Sequence, residues 1–234
     1  VGAIVAAMVI GNRRGFPTTA MPPHNMALTV TGAAMLWIGW FGFNAGSALT
    51  ADGRAGMALL VTHISASAGA LTWMACEWGK YGRPSVLGLV TGVVAGLGTI
   101  TPASGYVGPF GGLAIGIAAG GVCFGATQYI KRVLKIDDSL DVFPVHGVGG
   151  ILGTMLAGVF AVKGLGGVGL SEGVSMGHQL LTQLIGVVAT IVWCAVLSYV
   201  ILKALDAAIG LRVSDQQETE GLDLVEHGER GYTS

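Results

Sequence analysis

Charge is what this chain has least of. It holds 12 Lys and Arg and 13 Asp and Glu in 234 residues, or 11%, against about 25% in an average soluble domain. A water-soluble globule is excluded. With a net charge of −1 and no basic patch, so is a nucleic-acid binder. Cysteine is scarce as well: Cys76, Cys123 and Cys194 stand alone in apolar runs, where they read as buried small hydrophobes. Neither a disulfide framework nor a metal site is expected, and no motif asks for a cofactor. The glycine-rich Gly164-Leu-Gly-Gly167 lacks the strand-turn-helix setting of a phosphate loop.

What is abundant is apolar. Hydrophobic residues make up 52% of the chain, the mean hydropathy is +0.70, and the 40 glycines follow no collagen-like period. That composition fits helices whose backbones approach closely in a bilayer. Apolar stretches fall near 1–10, 27–49, 55–76, 85–103, 107–130, 142–162 and 178–202. All but the first approach or exceed the ~20 residues that a bilayer core demands. The first opens at Val1 without a charged leader and is expected to be the end of a helix begun upstream, not a signal peptide. The expected class is all-α, a polytopic helical bundle in the cell membrane.

Orientation follows from the bases. Arg13, Arg14, Lys80, Arg83, Lys131, Arg132, Lys135 and Arg212 fall on one side of alternating spans, and only Arg54 and Lys163 on the other. The richer side is expected to be cytoplasmic. Residues 1–210 then form the transmembrane domain and 211–234 a cytoplasmic tail, whose six carboxylates and few large apolar side chains cannot build a core.

One span carries an unusual stripe. Trp40, Phe43, Asn44 and Ser47 fall within about 100° of arc on one helix face. Polar groups gain nothing from lipid, so the stripe should face protein or a solute path. Packing aromatics and a small residue near a helix end are the plainer readings, and Asn44 is expected to tether helices. His146 lies one turn inside a helix introduced by Asp141 and Pro144, with Gly149, Gly150, Gly153 and Ala157 continuing its face. Either the imidazole and these small residues lie along a narrow channel, or His146 is a core histidine held by a helix-helix hydrogen bond. Asp141 reads as the N-cap of that helix. Glu77 is expected to pair with a local base. His63 is alone on its helix, while His24 and His178 lie near the interfaces.

Three segments, Gly39-Trp-Phe-Gly-Phe-Asn-Ala-Gly-Ser47, Asp138-Ser-Leu-Asp-Val-Phe-Pro-Val-His-Gly-Val-Gly-Gly150 and Gly167-Val-Gly-Leu-Ser-Glu-Gly-Val-Ser-Met-Gly-His-Gln179, together resemble the ammonium transporter family. That family includes the methylammonium permeases and is related to the Rhesus glycoproteins. Pro23-His-Asn25, Thr101-Pro-Ala-Ser-Gly-Tyr106, Gly210-Leu-Arg-Val213 and Glu220-Gly-Leu-Asp223 match as well.

The resemblance implies a homotrimer with one pore per subunit, each built from two inverted five-helix repeats and an eleventh helix. This chain matches the second repeat, the last helix and the tail. The partner histidine and the outer-gate phenylalanine would belong to the first repeat. By the same resemblance His146 is the pore histidine that handles the proton, Phe43 the inner ring of a phenylalanine gate, Ser47 the hydroxyl that holds the cation, and Trp40 an aromatic of the path. The substrate would be ammonium or methylammonium and no enzyme activity is implied. An alternative is an ammonium sensor signalling through the tail to a PII-type regulator. Under either reading Gly210, in a left-handed turn, and Arg212 are expected to couple the tail to the cytoplasmic loops, with Asp223 and Glu226 reaching Lys131 and Arg132 of the same or a neighbouring subunit.

Overall fold

The computed structural model describes residues 1–232; the last two residues of the expected tail, 233–234, lie outside it. Among the described residues every regular element is helical. α1 (Gly2–Ile10) is followed by α2 (Met26–Gly46), α3 (Gly53–Tyr81), α4 (Val86–Ile100) and α5 (Pro109–Gln128), which runs on through a π-helical turn at Tyr129–Val133. A second π-helical turn, Phe143–Val148, leads into α6 (Gly149–Phe160); α7 (Met176–Ile209) is long, and α8 (Asp215–Glu220) and α9 (Leu222–His227) lie in the tail.

Among the described residues five helical segments are long and apolar enough to cross a membrane, whereas α4 has only 15 residues. At about 1.5 Å per residue it spans roughly 22 Å. The sequence predicted a stretch reaching 103. Pro102 has no N–H for the helix ladder, and the chain turns there with the Ala103 amide donating to the Ile100 carbonyl. Such irregular backbone is tolerated because Ile100 and Ala103 are fully buried in protein, not lipid.

The core lies between α3, α4 and α5. Val61, Ile100, Val107 and Ile115 fill one end, and Trp73, Ala95, Cys123 and Val145 the other. Contact is close because glycines face backbone: a Cβ on Gly96 would lie 2.8 Å from the Cα of Ala66 and against the Ser65 carbonyl. Ser65 Oγ donates back to the Gly96 carbonyl at 2.9 Å, so the helices are bonded where they touch. By contrast α7 buries none of its residues.

The basic side is held by polar contacts between distant segments. Arg13 binds Asp137 through Nε at 2.8 Å and through its own amide at 2.9 Å, joining the α1–α2 and α5–α6 connections. Glu218 of α8 accepts the Arg14 amide at 2.8 Å and Arg212 Nη2 at 2.8 Å. Arg212 also donates to the Ile10 carbonyl. The tail is therefore docked on the α1–α2 connection. Three expectations are corrected on this side. Lys131 pairs with Asp141 at 2.8 Å and Arg132 with the Tyr81 hydroxyl at 2.9 Å, while Glu226 accepts from Gln217. Within this chain neither base meets Asp223 or Glu226, because each has a nearer partner among the transmembrane ends. Gly210 does have the positive φ that favours glycine, 77°, but its ψ of 155° is extended, so the turn is not left-handed helical. Nor does Glu77 meet a base: it accepts from the Ser85 amide and hydroxyl and so fastens α3 to the start of α4.

These contacts fix a pH response. The Arg13 guanidinium holds the Asp137 carboxyl below its ordinary value, and the Arg14 amide, then Arg212, do the same for Glu218. A carboxylate depressed on folding stabilises fully above its unfolded pKa, and that contribution is lost as pH falls through the folded value. Hydrogen exchange of residues 11–25 and 211–232 should therefore be slow at neutral pH. Relative to the intrinsic rate of an unstructured chain at the same pH, that protection should fall below about pH 4, before the α3–α5 core opens. Equal protection factors at both pH values would show that the tail is not held by these bonds.

Candidate functional site

His146 sits in the π-helical turn before α6, and the turn owes its start to Asp138, not Asp141. Asp138 accepts the amides of Val142 at 3.0 Å and Phe143 at 2.6 Å, satisfying two of the free N–H groups at the helix start. Asp141 has φ 55° and turns its carboxylate to Lys131 instead. Burial raises its pKa, with Lys131 opposing. Asp141 holds the N-cap position, its carbonyl accepting the Val145 amide, but the side-chain cap expected from it comes from Asp138, three residues earlier; both are acidic residues at the same helix start, and only the backbone conformation tells them apart.

His146 faces a cleft of about 590 Å³ whose lining includes Gly98, Thr101, Pro102, Gly150 and Thr154, with α7 on its far side. The expected small-residue face divides. Gly150 lies in the cleft, but Gly149 and Gly153 are pressed against Thr99 of α4 and Ala157 is buried in the core. A Cβ on Gly149 would stand 2.7 Å from Thr99 Oγ1, and one on Gly153 would meet the Thr99 carbonyl. These small residues bring α6 close to α4, and that closeness aims His146 outward.

Trp40 lies over the imidazole, with ring centroids 6.5 Å apart and planes 18° from parallel. Its Nε1 donates to Thr101 Oγ1 at 2.8 Å, and Thr101 donates to the Leu97 carbonyl at 2.9 Å. Phe43 meets Trp40 edge-on at 5.9 Å and is 61% exposed, bordering an apolar cleft of about 530 Å³ with Met35 and Leu36. Asn44 turns away: it is buried and its Nδ2 donates to Thr62 Oγ1 of α3 at 2.9 Å. Ser47 donates to the Phe43 carbonyl at 2.7 Å and borders a third cleft, about 280 Å³, with Arg54, Ser104 and Tyr106.

Thr101 lines both this cleft and the one at His146. The sequence reading gave Thr101 no role of its own. Its signal was a hydroxyl before proline inside an apolar run, where backbone is freed and polar groups gather. His63, the one histidine of α3, packs its ring on Trp37 at 5.3 Å and on Phe41 at 5.9 Å, both on α2.

The site joins one imidazole, stacked aromatics and neutral hydroxyls along apolar clefts, and a family model described as the Ammonium Transporter Family matches residues 1–232. The chain belongs to the ammonium transporter family. It is 45% identical over 234 residues to ammonium transporter Amt1 of Archaeoglobus fulgidus, covering 99% of this chain and 58% of that one. With the ammonium transporter of Bacillus subtilis it shares 41% over 234 residues, covering 99% and 57%. Among solved structures, a sensor Amt protein superposes with a TM-score of 0.88 at 33% identity, covering 97% of this chain and 57% of that chain. Candida albicans Mep2 gives a TM-score of 0.82 at 32% identity, covering 97% and 53%. The ammonium transporter fold thus accounts for the helical architecture. This family member spans little more than half the length of these relatives.

Proposed function

We propose that the complete protein conducts ammonium or methylammonium across the cell membrane, and that this chain supplies one wall of the path. The observation that carries the reading is the line from Ser47 through Phe43 and Trp40 to His146, with Thr101 bordering the clefts at both ends. Ser47 spends its proton on the Phe43 carbonyl, which leaves its oxygen lone pairs for an ammonium hydrogen. Aromatic faces at Phe43 and Trp40 attract the cation as it loses water. A neutral imidazole both accepts and donates a proton, so His146 takes up the proton that the neutral species leaves behind. An alkali ion has no proton to give and meets the full cost of entering an apolar passage. A homotrimer, with the basic loops and tail in the cytoplasm, belongs to the same reading.

Uptake of labelled methylammonium by proteoliposomes holding the complete protein tests it. Ser47→Ala should weaken capture by at most ~1.5–3 kcal/mol, the worth of a hydrogen bond to a charged group. It should act on the apparent KM more than on the maximal rate. Unchanged affinity at low substrate would reduce Ser47 to a packing residue.

A second reading, sensing, is favoured by the docked tail and by likeness to a sensor Amt protein. Substrate occupancy would alter the tail contacts and their presentation to a PII-type regulator. Ammonium-dependent hydrogen exchange in residues 211–232 would support it, and exchange indifferent to ammonium would remove it.

A further inference from the structure

Thr101 ends α4 in a helical conformation, φ −50° and ψ −51°, although Pro102 follows it. A residue before proline is ordinarily pushed out of that region, so the placement of its side chain comes from the fold and not from local preference. The turn sets the Thr101 hydroxyl on the Leu97 carbonyl, to which it donates at 2.9 Å. With its proton committed there, the oxygen can only accept, and it accepts the Trp40 Nε1–H at 2.8 Å. Both bonds lie within this chain. An indole has no second polar atom, so this one bond fixes how the Trp40 ring is rotated over His146, with planes 18° from parallel.

α2 does not depend on that bond for its place. Asn44 Nδ2 donates to Thr62 Oγ1 of α3 at 2.9 Å one turn further along, and Trp37 and Trp40 pack on Ala66, Ala70, Val93 and Leu97. Nor does packing by itself provide an indole with an acceptor: Trp37, one turn earlier, has its Nε1 buried without a hydrogen-bond partner among the described residues. The Asn44 bond holds helix to helix, and the Thr101 bond holds one ring. We propose that Thr101 is a positioning residue for transport, acting through Trp40 to keep the indole nearly parallel to the His146 imidazole. The inference rests on the transport reading above. Because its proton is spent on the Leu97 carbonyl, Thr101 itself passes no proton. Without the acceptor the indole N–H would turn toward water, tilting the ring off the imidazole and admitting water where a neutral, dehydrated species has to pass.

The test uses the complete protein in proteoliposomes and compares Thr101→Val, which keeps the shape and loses the acceptor, with Thr101→Ser, which keeps the acceptor. In Thr101→Val the maximal rate of methylammonium uptake should fall about two- to tenfold, the range set by one net hydrogen bond. The apparent KM should change little, because Ser47 is untouched. Thr101→Ser should recover most of the rate. The indole Nε1–H resonance of Trp40, assigned by its loss in Trp40→Phe, should shift and exchange faster in Thr101→Val and return in Thr101→Ser. In a Trp40→Phe background, where no N–H needs an acceptor, Thr101→Val should cost nothing more. A resonance that does not move, an unchanged rate in Thr101→Val, no recovery in Thr101→Ser or a further loss in the double variant would each overturn the proposal. So would a change confined to the KM, which is the mark of direct contact with substrate. Absence of saturable uptake by the unmodified protein would instead overturn the transport reading, while the resonance would still report the bond.

Discussion

His146→Asp in the complete protein is expected to abolish selective ammonium transport or to convert it into leaky cation passage. The imidazole faces the cleft while its neighbours Pro144 and Val145 are the ones buried against the core. An aspartate there would put a fixed negative charge where a neutral species must pass, and its desolvation would hold either water or a cation in the cleft. His146→Ala should lose normal transport as well, because among the side chains that this chain contributes to the cleft only the imidazole can both accept and donate a proton near neutral pH. Its effect on folding should be modest, since the ring stacks on Trp40 from the cleft side and fills no core position. The measurement is methylammonium uptake together with substrate-induced current in proteoliposomes, with the melting temperature in detergent as the folding control. Wild-type uptake and current in both variants would remove the proton-handling role.

The largest effect on stability is expected at Gly96. Valine there would drive its Cβ into the Ser65 carbonyl and to within 2.8 Å of the Ala66 Cα, contacts made by backbone that cannot swing aside. α3 and α4 would have to separate, breaking the Ser65 to Gly96 hydrogen bond and opening the core around Val93 and Leu97. Overpacking of this kind costs about 1–3 kcal/mol, and more where backbone must move. Gly96→Val should give little folded protein in the membrane and a strongly lowered melting temperature in what remains. Gly79→Ala serves as the control, because a Cβ at Gly79 meets nothing within 4 Å. It should melt at or above the wild-type temperature through better helix propensity. A Gly96→Val protein that melts like wild type would mean that α3 and α4 are not held by this contact.

Much of the architecture was legible before any coordinates. Apolar run length forces helices, because a lipid-facing backbone must bond within its own segment, and the positions of α2, α3, α5, α6 and α7 follow from that. Motif spacing carried the family and singled out Trp40, Phe43, Ser47 and His146. Glycine content announced close helix packing without saying which glycines touch what. Only the tertiary structure decided that Gly149 and Gly153 serve the α4 contact and leave Gly150 to the cleft. It likewise moved the side-chain cap from Asp141 to Asp138, since two acids three residues apart differ to the eye only in the φ that one of them adopts. The tail shows the same division. Its charge excluded a core, but its partners came from proximity: Lys131 and Arg132 meet Asp141 and Tyr81, while Arg14 and Arg212 meet Glu218. Helical periodicity is a local property and can be read from one segment. A choice among equivalent partners belongs to three-dimensional proximity, and no single segment encodes it.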